Sequence, residues 1–260
     1  MRTDPETSGK AHFTQLYRSE LAEEARWLEY GAALKGNSVE FLLARNGILP
    51  ESLLELGCGT GAVVRECQRR SIAGAYTGVD YSPEALDYLA AHSTGIRTFR
   101  ADITADGFTL DGHYDVVLLS HVLEHLEEPL RALRNALHRT RCRYIIAEVP
   151  LEDLPASRLK NLFRDRRRNS AGHVQFFTRA SFRALMRATP LTILDERSYV
   201  PILPAEGYDL VQERAGLSPL SAWLKSVSAR YVARVLGPLW RRLYYAHYAV
   251  LCRPTNALTS

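Results

Sequence analysis

The stretch "ELGCGTGAV", Glu55–Val63, decides how this chain is read. Three glycines alternate with other residues at the point where an apolar run, "SLLELG", gives way to a helical one, Ala62–Arg70. The spacing is G-x-G-x-G, which differs from the dinucleotide-binding G-x-G-x-x-G. Missing Cβ atoms let a ligand approach the backbone, and the helix start offers unpaired N–H groups. Glu55, just before the glycines, suits a cationic amino group better than a pyrophosphate. Asp80 stands nineteen residues past Gly61 at the end of a second apolar run, "AYTGVD", where a carboxylate suits paired ribose hydroxyls. Asp102 follows a third run, "IRTFRAD", at a place where it could meet an adenine amino group.

Outward from this loop, strand and helix patterns alternate. "SPEALDYLAAH" is expected to be a helix with Ser82 as its cap and Pro83 in its first turn. "YDVVLLS" and "RYIIAEV" are continuous apolar runs, typical of strands buried on both faces. Pro129 opens a helix to about His138, "TRASFRALMRAT" is another, and "LTILDERSYV" and "YYAHYAVLC" are the last strands. This alternation predicts a doubly wound α/β sheet. From His12 to about Asn46 apolar residues recur at helical steps, with Gly36-Asn37-Ser38 expected to break the segment and cap its second half. Two stretches depart from the rhythm. Residues 151–178 form a long connection carrying Arg158, Lys160, Arg164, Arg166, Arg167 and Arg168, a solvated loop or a contact for an anionic substrate. Residues 201–243 carry an apolar stripe of Leu220, Trp223, Leu224, Val227, Tyr231 and Val235, with Lys225, Arg230 and Arg234 off it. The stripe suits a cap helix or a homodimer contact, and its basic, Trp-containing flanks also suit a membrane surface.

"ELGCGTG", "VDYSPEAL", "RADI" and "YDVVLLSHVLEHLEEP", taken in order over roughly residues 50–200, resemble the successive motifs of the class I S-adenosylmethionine-dependent methyltransferases. The resemblance implies a Rossmann-like sheet of seven strands with an antiparallel last strand. It implies N-terminal helices (1–47) as a cap on a methyltransferase domain (48–260), and a helical insertion, 201–243, before the last strand. It also implies S-adenosyl-L-methionine as cofactor. Glu55, Gly57, Gly59 and Gly61 would lie around its methionine part, Asp80 at the ribose, and Asp102 with Ile103 near the adenine, with Tyr81 and Ser120 as further cofactor-binding residues.

"SHVLEHLEEP" also contains His121-x-x-Glu124-His125, the spacing of one zinc-peptidase signature. In the implied fold this turn follows the fourth strand and faces the methyl donor, and a peptidase would require a longer zinc-bearing helix. Some ubiquinone-pathway O-methyltransferases and small-RNA 3′-terminal ribose 2′-O-methyltransferases resemble the segment and carry E-x-x-E-H for a divalent ion. Here Glu124 and His125 match, His173 in "GHVQFFT" fits the later histidine of the RNA group, and His121 replaces the first glutamate. Imidazole suits zinc, iron, cobalt or nickel and suits magnesium badly. A divalent metal is therefore admitted but not favoured, and no metal ligand is assigned. His121 and His173 are the expected catalytic residues, since histidine titrates near neutrality and can take the acceptor's proton. Tyr17, Trp27 and Tyr30 could line an aromatic acceptor pocket, or pack the cap.

The net charge of +4 is mild and permits an anionic ligand without calling for nucleic acid. Cys58, Cys67, Cys142 and Cys252 form no C-x-x-C pair. The polar start "MRTDPETSGK" lacks a signal-peptide core, and no apolar run is long enough for a transmembrane segment, so a cytoplasmic setting is expected. The expected activity is methyl transfer to a small molecule, anionic or aromatic, with O-methylation favoured. The alternatives are a metal-dependent RNA 2′-O-methyltransferase and a non-catalytic S-adenosylmethionine-binding subunit.

Overall fold

A computed structural model describes residues 9–155, 171–204, 206–207, 218–227, 231–243 and 246–255. Seven strands, β1 (Ser52–Leu56), β2 (Ala75–Asp80), β3 (Ile96–Arg100), β4 (Tyr114–Ser120), β5 (Cys142–Leu151), β6 (Leu191–Tyr199) and β7 (Ala246–Pro254), form one sheet in the order β3-β2-β1-β4-β5-β7-β6. β1 pairs in parallel with β2 and β4, and β7 runs antiparallel to both β5 and β6. The expected seven-stranded Rossmann-like architecture with a reversed last strand is therefore present.

Helices α1 (Lys10–Ser19), α2 (Leu21–Arg45), α3 (Ala62–Arg69), α4 (Pro83–His92), α5 (Pro129–Arg139) and α6 (Arg179–Arg187) are joined by α7 (Pro219–Val227) and α8 (Ala233–Leu243) before β7. The apolar runs are continuous because both faces of the sheet are covered. Val117 and Leu119 of β4 face one core with Leu54, Leu56, Ile145 and Phe182. Val116 and Leu118 face the other with Leu53, Val64, Leu89 and Ile146.

The expected break at Gly36-Asn37-Ser38 does not occur. α2 runs through it, and the chain turns instead between Ser19 and Leu21. Gly36 is buried where α2 crosses α3, and a Cβ there would stand 2.6 Å from Glu66 Cγ. The glycine allows close packing of two helices, a reason that local turn signals do not carry. The basic residues from Arg158 to Arg168 lie outside the described residues. Among the described residues, no helix is long and apolar enough to cross a membrane.

Candidate active site

β1 ends directly in the glycine loop. The Gly57 and Cys58 N–H groups donate to Val79 O of the neighbouring strand at 2.8 and 3.0 Å, which folds the loop over the strand end. The Gly59 N–H donates to Asp80 Oδ2 at 2.8 Å and the Ser82 N–H to Asp80 Oδ1 at 2.9 Å. Asp80 thus pins the loop at the end of β2, and burial pushes its carboxyl above the usual range. Gly61 caps α3 at φ +79°, and a Cβ there would lie 2.3 Å from Leu89 Cδ1. Gly61→Ala combines left-handed strain with overpacking, each on the order of 1–2 kcal/mol. Thermal unfolding should register the sum as a Tm lowered by roughly 8 °C.

Glu55 is buried beneath the loop and its Oε2 accepts the Val64 N–H at 2.9 Å. Burial pushes its carboxyl up to about 8, against the opposing charge of Lys35. The expected anion is therefore mostly protonated at neutral pH until a cation joins it. The hydroxyls of Thr60, in the loop, and Ser120, at the end of β4, are buried without a hydrogen-bond partner among the described residues. Two orphan hydroxyls beside the glycines fit a polar ligand over these strand ends.

α1 covers this edge. The Tyr81 hydroxyl donates to Lys10 O at 3.0 Å, and Lys10 Nζ reaches Asp102 Oδ2 at 2.6 Å. Burial works against the Asp102 anion, but hydrogen bonds from Lys10 and Thr104 hold its carboxyl below the usual range. Ile103 is buried in the core, its carbonyl accepting Asn135 Nδ2 at 2.9 Å. The Tyr17 hydroxyl lies over Gly59 on the glycine loop, while Tyr30 packs beside Gly207 of the insertion.

Beyond the loop, "HVLEHL" is a single 3-10 turn, Leu123–His125, and His121 precedes it at φ +55°. A one-turn element cannot be the zinc-bearing helix of a peptidase. Val122 packs against Gly57, so the turn abuts the loop directly. The His121 N–H donates to Glu148 O at 2.9 Å, which holds the unusual backbone in place. Its ring lies between two carboxylates, with Nδ1 3.1 Å from Glu124 Oε1 and Nε2 3.3 Å from Glu148 Oε1. Tyr199 Oη donates to the same Glu148 oxygen at 2.6 Å, and His247 Nδ1 stands 3.4 Å from it. The His121 and His247 rings pack at 4.2 Å.

On the other side of Glu124, His125 Nδ1 donates to Gly172 O at 3.2 Å and Nε2 faces Glu124 at 3.9 Å. His173 packs on His125 at 4.8 Å and donates through Nδ1 to Glu152 Oε2 at 2.5 Å. Backbone N–H groups of Val174 and Gln175 donate to Glu124 O at 2.9 Å each, tying the two segments together. Burial drives the His125 and His247 rings down to about 4. Burial penalises the Glu124 and Glu148 anions, yet the adjacent imidazoles hold Glu124 at about 2 and Glu148 well below the usual range. Burial also disfavours charge on His173, but Glu152 overrides it and raises the ring above its ordinary value.

The structure therefore brings His121, Glu124, His125 and His173 together. It adds Glu148, Glu152, Tyr199 and His247, which sequence reasoning missed. An acid inside "YIIAEVP" and a histidine inside "AHYAV" were the available signals, since buried strands rarely carry such groups without a partner. Two groups, His121–Glu148–His247 and Glu124–His125–His173, each present ligand atoms within 4.8 Å of one another and could hold a metal ion.

Residues 10–196 match the family model described as a methyltransferase domain. The chain belongs to that family. Against the curated ubiquinone biosynthesis O-methyltransferase of Pseudomonas paraeruginosa, this methyltransferase-family chain is 30% identical over 105 residues. The matched stretch is 39% of this chain and 44% of that protein, less than half of either. Among solved structures it is similar to the plantazolicin methyltransferase BpumL in complex with a monoazolic desmethylPZN analog and SAH (TM-score 0.56, 17% identity, 93% of each chain). It is also similar to the [4+2]-cyclase SpnF (TM-score 0.54, 17% identity, 84% of this chain and 80% of that one). At such identities the structural matches speak to the fold, and a cyclase among them shows why the site has to be argued from its own residues.

Proposed function

We propose that this chain transfers the methyl group of S-adenosyl-L-methionine to a hydroxyl of a small aromatic or anionic molecule in the cytoplasm. The observation that carries the reading is adjacency. A glycine loop with orphan Thr60 and Ser120 hydroxyls abuts, through Gly57 and Val122, a buried group of imidazoles and carboxylates. The residues present fit the cofactor, whose sulfonium supplies an electrophilic methyl group. Glu55 would face its amino group, Asp80 its ribose, and Asp102 its adenine once Lys10 yields that carboxylate. The O-methyltransferase name of the partial relative supports a hydroxyl acceptor.

In this reading His173 is the general base. Glu152 holds its Nδ1 proton, which would leave Nε2 as the basic nitrogen. The donor would supply its methyl group to the acceptor oxygen and leave as the neutral thioether, and His173 would take up the proton that oxygen loses. His121, clasped by Glu124 and Glu148, positions the turn that bears on the loop, and alignment supplies much of the acceleration. Incubation with methyl-labelled donor and a panel of phenols, catechols and carboxylates tests the reading. Label in a methyl ether supports it, and label on nitrogen or carbon alone would overturn the choice of hydroxyl.

Glu55 yields a separate prediction. At pH 7 it holds a proton that the donor's ammonium should expel, because a nearby cation favours the carboxylate. Titration with S-adenosylhomocysteine in buffers of differing ionisation enthalpy should show proton release, and Glu55→Gln should remove the buffer dependence. Equal heats in all buffers with the parent chain would contradict it.

One observation favours a second reading, a metal-dependent RNA 2′-O-methyltransferase. The fully buried carboxylate of Glu124 faces the His121 and His125 imidazoles, with the Lys35 ammonium also acting on it. Gly172 O and Glu152 hold the outer nitrogens of His125 and His173, the arrangement that orients metal-bound imidazole. An ion there would acidify an acceptor hydroxyl. Metal content of the purified chain, with short RNA as acceptor across a salt series, separates the two readings.

A further inference from the structure

The insertion before β7 presents an apolar surface that the methyl-transfer reading does not use. Eight of the twelve exposed large hydrophobic residues among those described fall between Leu220 and Leu239, including Trp223 at 60% and Val235 at 84% exposure. In α7, Leu220, Trp223 and Leu224 follow helical spacing and all stand in solvent. Tyr231, Val232, Val235, Leu236 and Leu239 continue the pattern at three- and four-residue steps up to and past Gly237, where the backbone kinks at φ +45°. Exposed large apolar side chains concentrated in this way mark an interaction surface.

Charge selects the occupant. From Ala215 to Ser260 the sequence contains no Asp or Glu, while Lys225, Arg230, Arg234, Arg241, Arg242 and Arg253 make it uniformly basic. A second copy docking through this element would bring two segments of like net charge together, and like charges across an interface disfavour pairing. A phospholipid bilayer bearing anionic headgroups complements both features. Apolar side chains and Trp enter the headgroup boundary, and Lys and Arg meet the phosphates. Neither helix is long and apolar enough to cross the bilayer, so the element lies on the surface. We infer that α7 and the described segment 231–243 dock this chain onto an anionic membrane surface.

Co-sedimentation of the full chain with vesicles tests this without any methyl donor. One set is equal parts phosphatidylglycerol and phosphatidylcholine, and the other is phosphatidylcholine alone. At least about tenfold stronger partition to the anionic vesicles is expected, weakening as salt screens the headgroups. Trp223→Asp and, separately, Val235→Asp should each cut that partition about tenfold while the circular dichroism spectrum and Tm stay those of the parent, because these exposed residues support no core. No partition, equal partition to both lipids, or full partition by both folded variants would overturn the inference. So would a dimer that Val235→Asp dissociates in the absence of vesicle binding.

Discussion

Replacing His173 with glutamine is expected to lower kcat/KM for methyl transfer by about 10²- to 10⁴-fold, the usual contribution of a positioned general base. S-adenosylhomocysteine should bind as before, because His173 packs on His125 and Glu152 rather than on the glycine loop. Glu152→Gln carries the sharper signature. The base must be unprotonated, so activity should rise with pH through the His173 titration, which Glu152 places above the ordinary histidine range. Without the carboxylate the imidazolium loses its stabilising charge and the rising limb should move to lower pH. A pH–rate profile of the two chains reads this directly. An unmoved limb in Glu152→Gln, or near-parental turnover in His173→Gln, would remove His173 from the chemistry.

A stability loss of about 3 kcal/mol per ring is expected from His125 and His247 as the pH falls from 6.5 to 4. The unfolded chain takes up protons on these rings near pH 6.5, whereas the folded rings refuse them until about 4. Across that window the unfolded state binds more protons, so stability falls with falling pH. Below it, Glu124 and Glu148 add a second loss. Their folded values are depressed, so the stability they contribute above the unfolded carboxylate range disappears as they protonate. His173 acts with opposite sign. Its raised value favours the fold below the ordinary histidine range, and that contribution is lost as pH rises through its titration. Urea denaturation from pH 7 to 4 should show the fall, and His247→Gln should remove roughly one proton from its slope. A flat profile between pH 6.5 and 4.5 would contradict neutral, buried His125 and His247 rings.

The sheet was legible in the sequence because its strands are buried on both faces. "YDVVLLS" and "RYIIAEV" carry no alternation to mislead, and Ser82 with Pro83 marks a helix start by local chemistry alone. Gly36 was misread for the opposite reason. Its role is set by Glu66 of α3, thirty residues away, and no local rule contains that contact. The same limit governs the site. His121, Glu124 and His125 sit within one turn and could be grouped from spacing. Glu148, Tyr199 and His247 come from β5, β6 and β7, brought together by the antiparallel placement of β7 between the other two. Glu152 pairs with His173 across a long connection that sequence periodicity cannot close. Lys10 on Asp102 is likewise a contact of an N-terminal helix with a distant strand end.

The central claim is that these strand ends hold a methyl donor beside the imidazole–carboxylate group. Isothermal titration of the purified chain with S-adenosylhomocysteine tests it most directly. Saturable binding with one molecule per chain is expected. Absence of saturable binding up to about 1 mM, an interaction weaker than about 4 kcal/mol, would contradict it.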